Sequence, residues 1–574
     1  MSLLKNWRFV LSTAVALTVV IGLAACGDDD NGGGGNGQTA APSGAPSDLA
    51  PDAQQIFRTN VGAEPTSIDP QAQSYTYEAT IVKNTYLNLF DQDPKTSELT
   101  AAGASEVPTT TNGGIGADGL TYTIKLKSGL KWSDGSPLTA QDFVYGIIRG
   151  YDLNVSGKAY GGFFTTIKGA KEALALDPAS ATYVQDVNNL LKDNVVAVDS
   201  QTLKVTASVK SVSFLYNFTL PITAAVQKAN VEALGEKFGQ QAGAAQMVTS
   251  GPFTIKEWAA KDHVTLERSD TYTAGRKAYL KTVEVKFIED TNQAYNAFQA
   301  GQIDQVAVPP SVYPGIKSDP RVQQEPEFGT RWITVDVTLE PWNNKDFVIG
   351  INQATDRETI ARDVYFGIRS PWAATCAQAV LDCDPSLFSN LEFNLDKAKA
   401  SIAKAYPNGN IPTVTLETVD DPTTKALVTT LQTQWKAVGV NVDLKTTDQK
   451  TLRADMKNHV SGTQITGWGM DFADPSDLWS IKTTDSLGAN NLGFWSRPEY
   501  DTMYANQDKE FDAAKRKDLL VQLQKFIAAD PADITFAVQN RTNIVADKVK
   551  GIVESPFDYQ VIGDQLLVDI YIAK

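Results

Sequence analysis

Few residues in this chain of 574 are equipped for chemistry beyond binding. It holds two histidines and three cysteines. His263, His459, Cys376 and Cys383 do not fall at metal-ligand spacing, and so few soft ligands do not build a zinc cage. No metal and no cofactor is expected. Scarce histidine also weighs against a His-based catalytic triad. Asp474 and Asp477 suggest paired carboxylates, and glycoside hydrolysis needs two of these at a defined separation across a cleft. Spacing in sequence does not supply that separation, so a secreted glycoside hydrolase stands as a remote alternative and the chain is read as a non-enzyme. Gly114-Ile115-Gly116-Ala117-Asp118-Gly119 has the spacing G-x-G-x-x-G. A dinucleotide site needs a strand before it and a helix after it. Here polar Thr109 to Asn112 precede it and the alternating Tyr122, Ile124 and Leu126 follow, so it reads as a turn between strands. No Walker-type loop, H-E-x-x-H or G-x-S-x-G occurs. Cys376 and Cys383 would close a small local disulfide in an oxidising exterior, two free thiols being the alternative.

The third cysteine belongs to a different chemistry. Lys5 and Arg8 precede an uncharged, mostly apolar run from Phe9 to Leu23, which ends in Leu23-Ala24-Ala25-Cys26. A basic start, an apolar stretch and small residues before a cut describe a secretory signal peptide, spanning 1–25. The run is short for a transmembrane helix, which needs about 20 apolar residues. Its end also resembles the lipobox of bacterial lipoproteins, whose cysteine is lipidated and becomes the mature N-terminus. That resemblance implies export and a lipid anchor on Cys26, holding the protein at the outer face of the cytoplasmic membrane. Residues 26–56 follow as anchor and linker. Asp28 to Asp30, Gly32 to Gly35 and the Ala/Pro/Ser/Thr residues after them bury too little apolar surface to offset their ordering entropy.

The rest is long enough for two or three domains. Without Lys5 and Arg8 the chain carries 49 basic against 67 acidic residues, a net charge of −18. Such an acidic body repels phosphate backbones, so nucleic acid is not an expected partner.

Helical and strand periodicities interleave along the body, giving α/β character. Thr121 to Lys127, Leu203 to Val209, Val264 to Leu266 and Val283 to Phe287 read as strands. Thr139 and Asp142 form a near capping box ahead of Phe143 to Ile148. Asp290 to Gly301 reads as a helix closed by glycine. Thr355 and Glu358 pair as a second box. Ala398, Ile402 and Ala405 mark one helical face, and Leu427, Leu431 and Trp435 another, ended by Gly439 before the strand Val440, Val442, Leu444.

Several stretches in order resemble one family, the extracellular solute-binding proteins of family 5, the peptide- and nickel-binding type that serves ABC importers. They are Glu64 to Pro70; Tyr122 to Phe143 around Lys131-Trp132-Ser133-Asp134-Gly135; Gly251-Pro252-Phe253 to Trp258; Phe298 to Asp304; Pro341 to Asn344 leading to Ala354 to Arg357; and Gly467-Trp468-Gly469-Met470-Asp471-Phe472-Ala473-Asp474-Pro475. The resemblance implies a two-lobed periplasmic-binding-protein-like α/β fold with a hinge and an extra inserted domain. It assigns 57–78, 219–329 and 543–574 to lobe I, 79–218 to the extra domain and 330–542 to lobe II. It implies capture of a peptide or peptide-like solute between the lobes by hinge closure, and delivery to an ABC permease and its ATPase by a monomer. An oligosaccharide or other solute binder of the same fold, or a sensor of a signalling peptide, is the alternative.

In peptide-binding relatives the acid of the tryptophan motif holds the ligand's α-amino group; Asp471 matches it. The alternative for Asp471 is a helix cap or a structural ion pair. Trp468, Gly469 and Met470 accompany it. Glu64 and Thr66 match a segment that runs beside the ligand backbone. Trp495 is a further candidate for the cleft, while Trp132 reads as structural. Some relatives carry a basic residue three before the motif tryptophan; Ile465 stands there, so a carboxylate contact is not carried over.

Overall fold

A mixed sheet of nine strands runs through the protein. The computed structural model describes residues 46–73, 75–156, 163–377, 379–419, 421–553, 555–556 and 567–574. The expected signal segment, Cys26 and the expected linker up to residue 45 lie outside them. In chain order the strands are β1 (Ile56–Asn60), β2 (Phe253–Ala259), β3 (His263–Arg268), β4 (Thr282–Lys286), β5 (Gln305–Ala307), β6 (Val322–Val335), β7 (Ser370–Pro371), β8 (Thr463–Gly469) and β9 (Asp533–Val545). Their order across the sheet is β8-β6-β9-β5-β1-β4-β3-β2, with β7 pairing to β9. β1 lies parallel to β4 and β5; the other pairings are antiparallel.

Strands β6 and β9 are much longer than the others, with 14 and 13 residues. At about 3.3 Å per residue, each spans about 45 Å. At one end Val545 pairs with Gln305 in the first lobe; at the other Asp533 pairs with Thr334 in the second. Register shifts interrupt the pair between Pro326 and Thr330 and between Arg331 and Trp332. A bulge bends and twists a ladder locally, so the two long strands change direction between residues 326 and 332.

Each lobe has its own core. The first joins Phe57, Val283 and Leu266 to Ile570 and Ile572. It also takes in Tyr122, Ile124, Val205 and Phe214, so the segment 79–218 shares this core. The insert's own small sheet pairs Thr121–Lys125 with Thr202–Thr206 and the latter with Val195–Asp199. Beside it, the helix Ala140–Arg149 is closed by the box of Thr139 and Asp142. Gly119, in the glycine-rich turn ahead of that sheet, has φ +67° and lies three residues before Tyr122, which bridges to Ile115. A turn between strands stands where a dinucleotide fingerprint would need a helix.

Residues 48–56, expected in the linker, already belong to the first lobe. Ala50 N–H donates to Ile572 O at 2.9 Å, and the Gln55 amide donates to Ala50 O and Ile572 O.

The second lobe packs two clusters, one on Phe347, Leu431, Trp435 and Phe536, the other on Trp332, Trp479, Trp495 and Leu523. Parallel strands Val414–Val419 and Val442–Thr447 flank the helix Pro422–Lys436, whose Leu427, Leu431 and Trp435 are buried. The second capping position falls one residue later than its sequence indicates. Asp356, not Thr355, is the N-cap: its carboxylate accepts from Thr359 N–H and Oγ1. The Thr355 hydroxyl is occupied, donating to Ile351 O and accepting from Trp435 Nε1. Next to it Arg357 is buried. Its Nε donates to Thr535 O, Nη1 to the carbonyls of Asn352, Thr355 and Leu391, and Nη2 to Asn352 Oδ1. Cys376 and Cys383 are joined, with S–S 2.03 Å and Cα–Cα 5.8 Å.

Candidate functional site

Strand β8 runs antiparallel to β6, with Trp468 opposite Thr330 and Gly469 opposite Gly329. A Cβ at Gly467 would sit 2.4 Å from Thr330 O, so this approach to β6 requires glycine there. The strand delivers Trp468 half-buried, packed against the cores of both lobes. Met470 follows it into the second-lobe core. The chain then turns through residues 471–474 and enters the short helix Ser476–Ser480.

One carboxylate organises that turn. Asp477 is fully buried. Its Oδ1 accepts from Trp468 Nε1, and its Oδ2 accepts from the main-chain N–H of Asp471 at 2.8 Å and of Phe472 at 3.2 Å. Asp471 is itself buried, 8% exposed. Asp474 is bound otherwise: Arg516 clasps both its oxygens at 2.7 and 2.6 Å. The two acids that suggested a hydrolytic pair thus have separate structural tasks, one in an ion pair and one receiving three N–H groups.

The turn is also held by residues far back in the chain. Gln92 Nε2 donates to Asp471 O at 3.4 Å, and Gln92 Oε1 accepts from Ala473 N–H at 2.8 Å. Tyr216 stacks on Phe472 with centroids 5.6 Å apart. A few residues away Asp508 accepts from Ser213 Oγ and Ser476 Oγ, and its carbonyl accepts from Val212 N–H. The segment 79–218 and the second lobe therefore meet directly around residues 471–476.

Of the other expected site residues, Glu64 Oε1 accepts from Trp258 Nε1 and Lys261 N–H, which fastens the β2–β3 hairpin. Thr66 is exposed, and its N–H and Oγ1 both donate to Glu78. Trp495 is enclosed in the second-lobe core, edge-on to Tyr500 at 4.9 Å and to Phe526 at 6.0 Å, so in this structure it packs core rather than joining the group around Asp471. Sequence reasoning did not single out Gln92, Tyr216, Asp508 or Arg516. Asp477 it weighed only as half of a hydrolytic pair.

Burial pushes the Asp477 carboxyl up to about 7, against the Trp468, Asp471 and Phe472 donors, with Asp474 adding to the rise. The folded protein thus keeps this proton up to about pH 7, whereas an unfolded aspartate keeps it only below about 4. Between these values, falling pH favours the folded state through this group. The stability of the wild type relative to Asp477→Asn should therefore rise as pH is lowered through that window, by up to about 1.4 kcal/mol per unit. Melts of both proteins across the range measure it; a constant difference would show that the carboxyl titrates normally. Asp508 is likewise raised by burial, and Tyr216 is pushed up to about 12 for the same reason.

Among the described residues no group of three His, Cys, Asp or Glu side chains is placed to hold a metal ion, and no helix is long and apolar enough to cross a membrane. Residues 109–489 match the family described as bacterial extracellular solute-binding proteins, family 5 Middle. The chain is similar to the oligopeptide-binding protein OppA of Bacillus subtilis, 25% identical over 96% of this chain and 97% of OppA. It is also similar to the dipeptide-binding protein DppE of the same organism, 26% identical over 78% and 81%. Among solved structures, the murein tripeptide binding protein MppA of Escherichia coli superposes with a TM-score of 0.78 at 21% identity, covering 92% of this chain and all of MppA. That likeness carries the two-lobed fold.

Proposed function

The chain belongs to the bacterial extracellular solute-binding proteins of family 5, and from that membership we propose that it captures a peptide or peptide-like solute between its lobes and delivers it, without chemical change, to an ABC permease driven by its ATPase. The observation that carries this reading is the placement of Asp471. It sits buried at the end of a second-lobe strand, in a turn whose main chain is held by Asp477 from its own lobe and by Gln92 from the early insert. A carboxylate so enclosed gains a charge-assisted bond from an α-ammonium. The names of the relatives, which bind oligopeptides, dipeptides and a murein tripeptide, support the same class of ligand. Mass spectrometry of what co-purifies with the protein tests it, together with retention of a pool of random di- to pentapeptides. Failure to retain any peptide, or co-purification of a sugar, would overturn the reading.

The division into lobe I (57–78, 219–329, 543–574), extra domain (79–218) and lobe II (330–542) belongs to this proposal. So does the anchor. The Leu23-Ala24-Ala25-Cys26 sequence supports lipidation of Cys26 after removal of residues 1–25. A diacyl anchor supplies two hydrophobic signals, enough for stable attachment. Cys26→Ser should release the protein from the membrane fraction or leave it unprocessed; a processed variant that stays on the membrane would refute the anchor.

A further inference from the structure

The turn that carries Asp471 has no ladder of its own, so its shape depends on who receives its main-chain N–H groups. Asp477 and Gln92 divide that task. Asp477 accepts from the N–H of Asp471 and Phe472; Gln92 donates to the carbonyl of Asp471 and accepts from Ala473. Asp477 also reaches back to the strand end, through Trp468 Nε1. The same carboxylate thus ties together the last residues of β8, the turn and the first turn of the following helix. Asp474 does not compete for these donors, because Arg516 takes both its oxygens.

We propose that Asp477 is the positioning residue for amine recognition: by receiving Trp468 Nε1 and the N–H groups of Asp471 and Phe472 on one buried carboxylate, it sets where the Asp471 carboxylate stands toward a ligand's α-ammonium. This rests on Asp471 being the amine-binding acid. Both carboxyl oxygens are in use, Oδ1 by the indole and Oδ2 by the two main-chain N–H groups. Asparagine offers only one oxygen, and its amide turns a donor toward a donor. In Asp477→Asn either the indole or the two main-chain N–H groups lose their acceptor, and the turn shifts with them.

The experiment measures retention of a random di- to pentapeptide pool, and of the same pool N-acetylated, by wild type, Asp477→Asn, Asp471→Asn and the double variant. Hydrogen exchange at residues 471 and 472 is followed in parallel. Loss of the acceptor should weaken binding of the free-amine pool by at least about tenfold. The acetylated pool should be unaffected, the two amides should exchange faster, and Asp477→Asn should add nothing in the Asp471→Asn background. Equal losses for both pools would reduce Asp477 to a structural role, and unchanged affinity or additive losses would also overturn the proposal. A wild type that retains both pools equally would overturn the Asp471 reading first, and this proposal with it, before any substitution is considered. Where Asp477→Asn does not fold, Trp468→Phe removes one donor and keeps a ring. It should produce a smaller loss confined to free amines, and a loss shared by both pools would refute the positioning role.

Discussion

Asp471→Asn is expected to weaken binding of a free-amine peptide by about 30-fold to several-thousand-fold, the range that follows from losing a buried charged partner worth about 2–5 kcal/mol. The fold should survive. The substitution keeps the size of the side chain, and what fastens residue 471 to Asp477 and Gln92 is its main-chain N–H and carbonyl. N-acetylation of the peptide removes the ammonium and should mimic the substitution, so the two losses should not add. Calorimetry on both proteins with free and acetylated peptide closes the cycle. Equal wild-type affinity for the two peptides would mean that Asp471 reads no amine; the ligand would then be sought among neutral solutes, with Trp468 the next residue to vary.

The largest effect on stability is expected at Arg357. Its guanidinium is fully enclosed, and burial brings it down to about 10, so it is still charged at neutral pH. It donates to four main-chain carbonyls and the Asn352 amide oxygen, which links the helix Lys345–Ala354 to Thr535 in β9 and to Leu391. Arg357→Met fills much of the volume but takes a donor away from each of these buried acceptors, at about 1–3 kcal/mol for each one left unpaired; Asn352 O keeps the N–H of Thr355. Relief from burying a charge offsets part of this. A net loss of about 3–5 kcal/mol is expected in urea unfolding, with Arg357→Lys intermediate because it keeps three donors. A loss below about 1 kcal/mol would mean that the hydrogen bonds barely repay the desolvation of the guanidinium.

The elements were largely legible because their signals are local. Alternation marked Thr121–Lys125 and Thr282–Lys286, and the Thr139/Asp142 box marked the helix that follows it. Where two capping residues stood side by side, at Thr355 and Asp356, the sequence did not separate them. The decision lay with Trp435, which takes the Thr355 hydroxyl from eighty positions away. The family and its two-lobed fold were readable from ordered motifs, Asp471 among them. The partners of Asp471 were not. Gln92 is 379 residues distant, and nothing in its neighbourhood announces a contact with that turn. Asp477 was visible as an acid, yet its role depends on three donors that only the folded turn brings together. Trp495 marks a similar limit: an aromatic residue beside other aromatics looks the same in sequence whether it lines a cleft or meets Tyr500 and Phe526 as here.

The pairing of the two long strands with the first lobe fixes an order in time. Gln55 reaches a partner 517 residues later, and Val545, Val549, Leu567, Ile570 and Ile572 all enter the first lobe's core. The second lobe draws its two cores from a single stretch of chain, residues 332–537. Chains are made from the N-terminus at about 5–20 residues per second. The half of the protein synthesised first is therefore the half completed last, since it waits for strands that emerge after the second lobe is already whole. A chain interrupted before residue 545 would hold one finished lobe and one open core, and the slow closure of such distant contacts falls entirely on the lobe that began the molecule.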